Sequence, residues 1–388
     1  MIILLWENKS FKYSSIKELV IISTIVMSVI LCIFYLGITF VNGFAKILSY
    51  DSHSYLEMSY MSFQNVIAPY IYRILTPFLV YILPFNHMTG FILVNLTSLF
   101  LTAVLFYYYL KKLNFSQIHS FIGVLLFLLS STVIFSMYDI VLVDFLSFLF
   151  FLLAFYAILC KNDNAYLIVL IFGVLNKETI LLTIPLYFLF KLSDNELTES
   201  LKSTLLIATI PLALFLSIRY YFGFTSYFSL DTIKETLLYV FQTNTVFVNP
   251  YLVFGTLWII SLYNIKFVEN VFLKKSLYIL PFIFLQILIA TDIFRVLFIA
   301  FPIIIPISLY LFKIKNSRVL IAFIGLSFFM ILTYIVTIPF PSSELFIILP
   351  LESLVLSLLI IRYLSISGIL NSILSKINIF IHAWDHSS

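Results

Sequence analysis

LVIISTIVMSVILCIFYLGITF, residues 19–40, runs for 22 residues without a single charge. At a rise of about 1.5 Å per residue such a helix reaches roughly 33 Å, enough to cross the hydrocarbon layer of a bilayer. It is too long for the apolar core of a secretory leader, and no small-x-small cleavage pattern follows, so it reads as a retained helix. The rest of the chain agrees. Of its 388 residues 62% are hydrophobic and only 10% are charged, with 43 Phe and 25 Tyr. A soluble domain of this size needs far more polar surface. The apolar runs are continuous rather than alternating, which excludes a β-barrel reading.

The expected fold is therefore an all-α polytopic membrane protein, one integral membrane domain over residues 1–388. Spans are expected near 18–43, 87–110, 118–138, 140–160, 203–223, 249–264, 276–291, 296–312, 319–338 and 345–363. Two shorter apolar segments, 163–175 and 179–191, cross in part or form a re-entrant hairpin, giving about 10–12 helices in all. With the N-terminus inside, 16 of the 22 basic residues fall on the cytoplasmic side. Lys46, Arg73, Lys177, Arg219, Lys234 and Arg295 fall on the other, the asymmetry of the positive-inside rule. This predicts a multi-pass plasma or inner membrane protein with both termini cytoplasmic.

Two aromatic-rich stretches interrupt the spans on the outer side, a first loop at 44–86 and a second at 224–248. Their mixed composition predicts helices lying in the interface. The tail, 365–388, places Ile366, Ile369, Leu370, Ile373, Leu374 and Ile377 at helical spacing, which predicts a cytoplasmic amphipathic helix. Cys32 and Cys160 lie inside apolar runs and read as small hydrophobes. The dispersed basic residues give no sign of a nucleic-acid surface.

Function is sought among charges that lie against apolar runs, because an unpaired one there costs about 2.5–3.5 kcal/mol. Five clusters qualify, all expected on the outer face. SYDSHSYLEMSY (49–60) carries Asp51, His53, Tyr55 and Glu57; PYIYRILTP (69–77) carries Arg73. MYDIVLVDF (137–145) carries Asp139 at an expected helix junction and Asp144 about one and a half turns deeper. GVLNKET (173–179) carries Lys177 and Glu178; TDIFRVLFIAFP (291–302) carries Asp292 and Arg295, three apart and able to pair on one helical face. Arg219 adds a cation near an outer helix end.

Each has a plainer reading. Asp51 fits a helix cap, with Ser54-x-x-Glu57 as a capping box. Asp292–Arg295 fits a structural pair, Lys177–Glu178 a turn between half-helices, and Arg73 a headgroup anchor. His53 and Glu57, four residues apart, suit a divalent metal, but they are only two ligands.

Taken together, the pattern resembles the GT-C superfamily of membrane glycosyltransferases, which use lipid-linked sugar donors. The resemblance rests on Tyr50-Asp51 and Tyr55 in the first outer loop and on Pro69-Tyr-x-Tyr-Arg73. It also rests on Asn-Lys-Glu-Thr at 176–179 and a late Asp292-x-x-Arg295 before a Phe-Pro helix. It implies a GT-C-like bundle that transfers a sugar from a polyprenyl-phosphate or diphosphate carrier to a hydroxyl of a glycan, lipid or protein, usually with inversion. Asp51 would then be the general base, and Arg73, Lys177, Arg295 and Arg219 would hold the donor phosphate. Asp139, Asp144, Glu178, Asp292 and Tyr55 would hold sugar hydroxyls or orient the cations. The loop has no Asp-x-Asp, so a divalent metal is left open. Two other readings stand beside it, an O-antigen-polymerase-like enzyme and a lipid-linked-glycan flippase or secondary transporter.

Overall fold

The computed structural model describes residues 13–40, 49–224, 253–288 and 293–314, together with Lys234 and Leu238. The expected spans at 319–338 and 345–363, the tail at 365–388 and most of the second loop lie outside these residues, as does Asp292. Every regular element among the described residues is helical.

Helices α1 (Tyr13–Phe40), α4 (His87–Lys112) and α10 (Leu197–Phe222) are each long and apolar enough to cross a membrane. A fourth candidate is a bent pair, α5 (Gln117–Leu128) and α6 (Ser131–Tyr138), which meet at 45°. Their length and composition point to a lipid bilayer. The bend has a local cause: Ser130 adopts an extended conformation, and its hydroxyl accepts the Val133 N–H, starting a new helix. Between α1 and α4 lie only short pieces, α2 (Tyr50–Ser59), a 3₁₀ turn at Tyr70–Tyr72 and α3 (Leu75–Tyr81).

Expected spans that shorten do so at identifiable polar residues. The chain leaves the helix at Asp139 and re-enters at Asp144, giving α7 (Asp144–Leu159). Asp144 thus opens a helix instead of lying a turn and a half inside one, a correction to the sequence expectation. The break is held by Asn95 of α4, whose side-chain amide donates to the carbonyls of Ile140 at 2.6 Å and Leu142 at 3.0 Å. Those carbonyls would otherwise be buried without a donor.

The chain turns at Cys160–Asn162 into α8 (Asp163–Asn176), where the Asn162 side chain caps the helix by accepting the Ala165 N–H at 2.9 Å. Lys177 is extended, with φ −161° and ψ 129°. A 3₁₀ turn, Glu178–Thr183, and α9 (Ile184–Lys191) follow. A fourteen-residue helix rises only about 21 Å, short of a full crossing. Gly173 is required where α8 meets the turn after it: a Cβ there would lie 2.7 Å from Ile180 Cγ1.

Beyond α10 come α11 (Thr256–Asn264), α12 (Val271–Ser276), α13 (Leu280–Leu285), α14 (Ile293–Leu297) and α15 (Phe301–Ile314). At the centre α4 packs on α5 and α7, α7 on α8, α8 on α10, and α15 on α5 and α11. Five phenylalanines join these layers. Phe127 stacks on Phe298 at 5.8 Å and meets Phe301 at 4.8 Å, while Phe106 and Phe148 pack edge-on against Phe301 and Phe298 respectively. Such contacts add about 0.5–1.5 kcal/mol each beyond area burial. They also fix the depth of the 293–301 segment, and with it Arg295.

Replacing the Asn95 amide with an isosteric apolar chain, Asn95→Leu, should cost about 1–3 kcal/mol, because two buried carbonyls lose their donor. Thermal unfolding in detergent would read this as a lowered midpoint. An unchanged midpoint would mean that the 139–143 turn holds itself.

Candidate functional site

The helix that carries Asp51 is started by Ser49, whose hydroxyl accepts the Ser52 N–H. Asp51 sits in its first turn, where a carboxylate is favoured by the helix dipole. It is therefore not the cap, and Ser54 and Glu57 lie mid-helix and form no capping box. A second anchor comes from α6: the Asp139 carboxylate accepts the Ser49 N–H at 3.1 Å and the Ser52 hydroxyl. Asp139 thus holds the start of α2 in place.

Asp51 faces Arg295, whose Nη1 donates to Asp51 Oδ2 at 2.9 Å across 244 residues of sequence. The same guanidinium donates from Nε to Asp144 Oδ2 at 2.6 Å. The other oxygen of Asp144 accepts Lys177 Nζ at 2.8 Å. Asp144 is fully buried, and the side chains of Lys177 and Arg295 are each 6% exposed. Next along the chain, Glu178 takes a bidentate pair from Arg73, at 2.8 Å from Nη2 and 3.3 Å from Nε. Arg73 Nη1 donates to the Tyr55 hydroxyl at 3.0 Å. Burial pushes that hydroxyl up to about 12 against the opposing pull of Arg73, so Tyr55 keeps its proton and can still donate it.

All five sequence clusters contribute to this one place. Arg73, Lys177 and Arg295 face Asp51, Asp144 and Glu178, three charges against three, with no ion left alone. The six belong to the segment 50–73, the start of α7, the break after α8, and α14. The network is graded in depth: Asp144 lies innermost, while the carboxylates of Asp51 and Glu178 are 14% and 28% exposed. A ligand would meet those two first.

The other sequence candidates fall differently. Arg219, in the last turn of α10, lies with its guanidinium 4.5 Å from the Tyr72 ring centre and 3.5 Å from that of Phe215. Its charge is close enough to interact with those of Arg73 and Glu178. Among the described residues no carboxylate pairs with it; its hydrogen bond goes to the Phe215 carbonyl at 3.5 Å. Arg295 pairs with Asp51 and Asp144; the expected partner, Asp292, lies outside the described residues. His53 is exposed and Glu57 half-buried.

Among the described residues no three His, Cys, Asp or Glu side chains gather to hold a metal ion. The carboxylates that could contribute are already engaged, Asp144 by two cations and Asp139 by Ser49 and Ser52.

Asn176 was not among the sequence candidates. It is fully buried; its amide donates to Ser147 Oγ at 2.8 Å and the Val143 carbonyl at 3.1 Å, and its carbonyl oxygen accepts the Thr76 hydroxyl at 2.5 Å. It joins α3, α7 and the end of α8 immediately before Lys177. An uncharged amide inside an apolar run escapes a search based on charge, although it is subject to the same demand for partners. Asn95 escaped for the same reason.

Comparison with protein-family models, with curated proteins and with solved structures yields no match.

Asp144→Asn should destabilise the chain by about 3–5 kcal/mol, since it strips Lys177 of its counter-ion in a buried place. Adding Lys177→Met to that variant should recover part of the loss, because no unpaired ammonium is left. Thermal unfolding of the two variants in detergent decides this; a double variant less stable than the single one contradicts it.

Proposed function

We propose that this chain is a multi-pass membrane glycosyltransferase that moves a sugar from a polyprenyl-phosphate or diphosphate carrier to a hydroxyl acceptor on the extracytoplasmic face. The carrying observation is the convergence of six charged side chains in two adjoining ion-paired groups, Asp51–Arg295–Asp144–Lys177 and Arg73–Glu178, which meet at the consecutive residues Lys177 and Glu178. A buried ion network is weak support for stability, because well-packed apolar side chains commonly serve as well or better. Its presence in so apolar a chain favours a chemical use.

The chemistry needs two things. An inverting transfer needs a carboxylate within reach of the acceptor hydroxyl, to take its proton as the oxygen attacks the anomeric carbon. It also needs fixed cations where the departing phosphate accumulates charge. Asp51, at the accessible edge and oriented by Arg295, suits the first role. Arg295 and Lys177 suit the second, with Arg73 beside them and Arg219 offering a guanidinium without a carboxylate partner among the described residues. Glu178 takes the role of holding sugar hydroxyls, while the buried Tyr55 hydroxyl accepts from Arg73 and orients it. Asp144 orients the two cations, and Asp139 acts through α2 by holding its start. The GT-C-like arrangement and the outer location of the site belong to this same proposal.

In membranes supplied with a lipid-linked sugar, Asp51→Asn should lower transfer by about 10²–10⁴-fold. Its thermal midpoint should stay near that of the parent, because the amide oxygen still accepts from Arg295. Undiminished transfer would remove Asp51 from the base role.

A transport reading draws on one observation, the break at Lys177 between α8 and the 3₁₀ turn. It predicts that a cysteine placed at Thr179 reacts with impermeant reagents from either side of the membrane in turn. The transferase reading predicts labelling from one side only.

A further inference from the structure

Arg73 is matched by Glu178, Lys177 by Asp144, and Arg295 by Asp51 and Asp144. Arg219, in the last turn of α10, is different. It senses the charges of Glu178 and Arg73, but those two already satisfy each other, and among the described residues it pairs with no carboxylate. Its guanidinium is nonetheless fixed. It lies 3.5 Å from the Phe215 ring centre and 4.5 Å from that of Tyr72. The buried Tyr72 is itself anchored, its hydroxyl donating to the Gly223 carbonyl at 2.7 Å. An arginine that merely snorkels extends from its helix toward water, whereas this one folds against two rings. The rings hold the cation without using its N–H groups. One of those reaches the Phe215 carbonyl at a long 3.5 Å, and the others have no partner among the described residues.

The surroundings of this cation suit a lipid headgroup better than a dissolved anion. α10 is long and apolar enough to cross a membrane. Leu205, Leu212 and Leu216 are exposed and fall with Arg219 on one stripe of the helix, by their spacing. Tyr220 and Tyr221, 82% and 81% exposed, stand beside it as the aromatic residues of a membrane–water interface do. The stripe thus leads from hydrocarbon depth to a fixed cation at headgroup level, the order in which a phospholipid presents its chain and its phosphate. A dissolved anion would use the cation and leave the leucines idle. A zwitterionic lipid would use the leucines, but its own ammonium competes with the guanidinium for the phosphate.

We infer that Arg219 and the stripe of Leu205, Leu212 and Leu216 on α10 form a docking site for a negatively charged phospholipid, with its phosphate on the guanidinium and an acyl chain along the leucines. Tyr72 belongs to the 3₁₀ turn that packs on α10 and immediately precedes Arg73, so the docked lipid steadies the segment from which Arg73 reaches Glu178. The site does not rest on the transferase reading.

The test is native mass spectrometry of the full chain released from nonionic detergent, counting retained lipid during titration with dioleoyl phosphatidylglycerol or dioleoyl phosphatidylcholine. The parent should bind phosphatidylglycerol about tenfold more tightly than phosphatidylcholine, and excess inorganic phosphate should not displace it. Arg219→Gln should lower the phosphatidylglycerol affinity about tenfold, the loss expected for charge-assisted hydrogen bonds. Lys202→Gln, which removes a charge at the other end of the same helix, should leave it unchanged. The comparison of the two lipids on the parent needs no variant, so it decides the matter even where a substitution fails to fold. Equal binding of the two lipids by the parent, displacement by inorganic phosphate, or parental affinity in Arg219→Gln overturns the site. An equal loss in Lys202→Gln also overturns it, since that would mark a diffuse attraction to the surface. No sugar transfer is read, so a failure here leaves the transferase reading standing, and undiminished transfer by Asp51→Asn leaves this site standing.

Discussion

Asp144 is a carboxylate fully buried in a chain of helices, and it is tolerated because two cations from distant segments reach it. Lys177 approaches from the break after α8 and Arg295 from α14. Isolated, either cation would be costly in such surroundings; brought to one carboxylate, both are satisfied. The requirement propagates outward. Arg295 must be held at depth, and the Phe298–Phe301 packing does so. Lys177 must leave its helix, and the extended backbone at 177 allows it. Nη1 of Arg295 then takes Asp51 and thereby fixes α2 against the core.

Much of this was readable in the residues because charge in an apolar run is scarce and has to be paired. Asp51, Arg73, Lys177, Glu178 and Arg295 stood out for that reason, and each is in the network. What could not be read is who pairs with whom. Arg295 reaches across 244 residues to Asp51, a pairing that no local spacing announces. Local spacing describes one helix, whereas these pairs are decided by how helices stack. The outer limits of these helices and the junction at Asp139 agree with expectation, while the bend at Ser130 and the late start of α7 at Asp144 do not, for a related reason. The apolar run through 118–160 carries no proline or glycine at its breaks, so periodicity alone treats it as two full spans. Ser130 bends it and Asn95 holds open the gap before Asp144, both by hydrogen bonding, a signal visible only once partners are known.

Uncharged polar residues form a second framework beneath the ionic one. Asn95 supports the turn before Asp144, and Asn176 ties α3 and α7 to the residue before Lys177. Both amides therefore sit one step from a network ion and determine where its backbone lies. A site built this way separates placement from chemistry: amides hold the peptide breaks, and ions project from them.

The opposite end of the α7–α8–α9 unit is fastened in another manner. Lys161 pairs with Asp194 at 2.6 Å and Lys191 with Asp163 at 2.7 Å, while Lys275 reaches the Leu189 carbonyl and the Ser193 hydroxyl. The Lys161 and Asp194 side chains are 59% and 46% exposed. Mobile counter-ions can reach these contacts but not the ones around Asp144, so electrolyte screens one end of the unit and spares the other. Concentrated salt would therefore weaken the exposed lysine contacts at this foot and leave the buried ones around Asp144 in place.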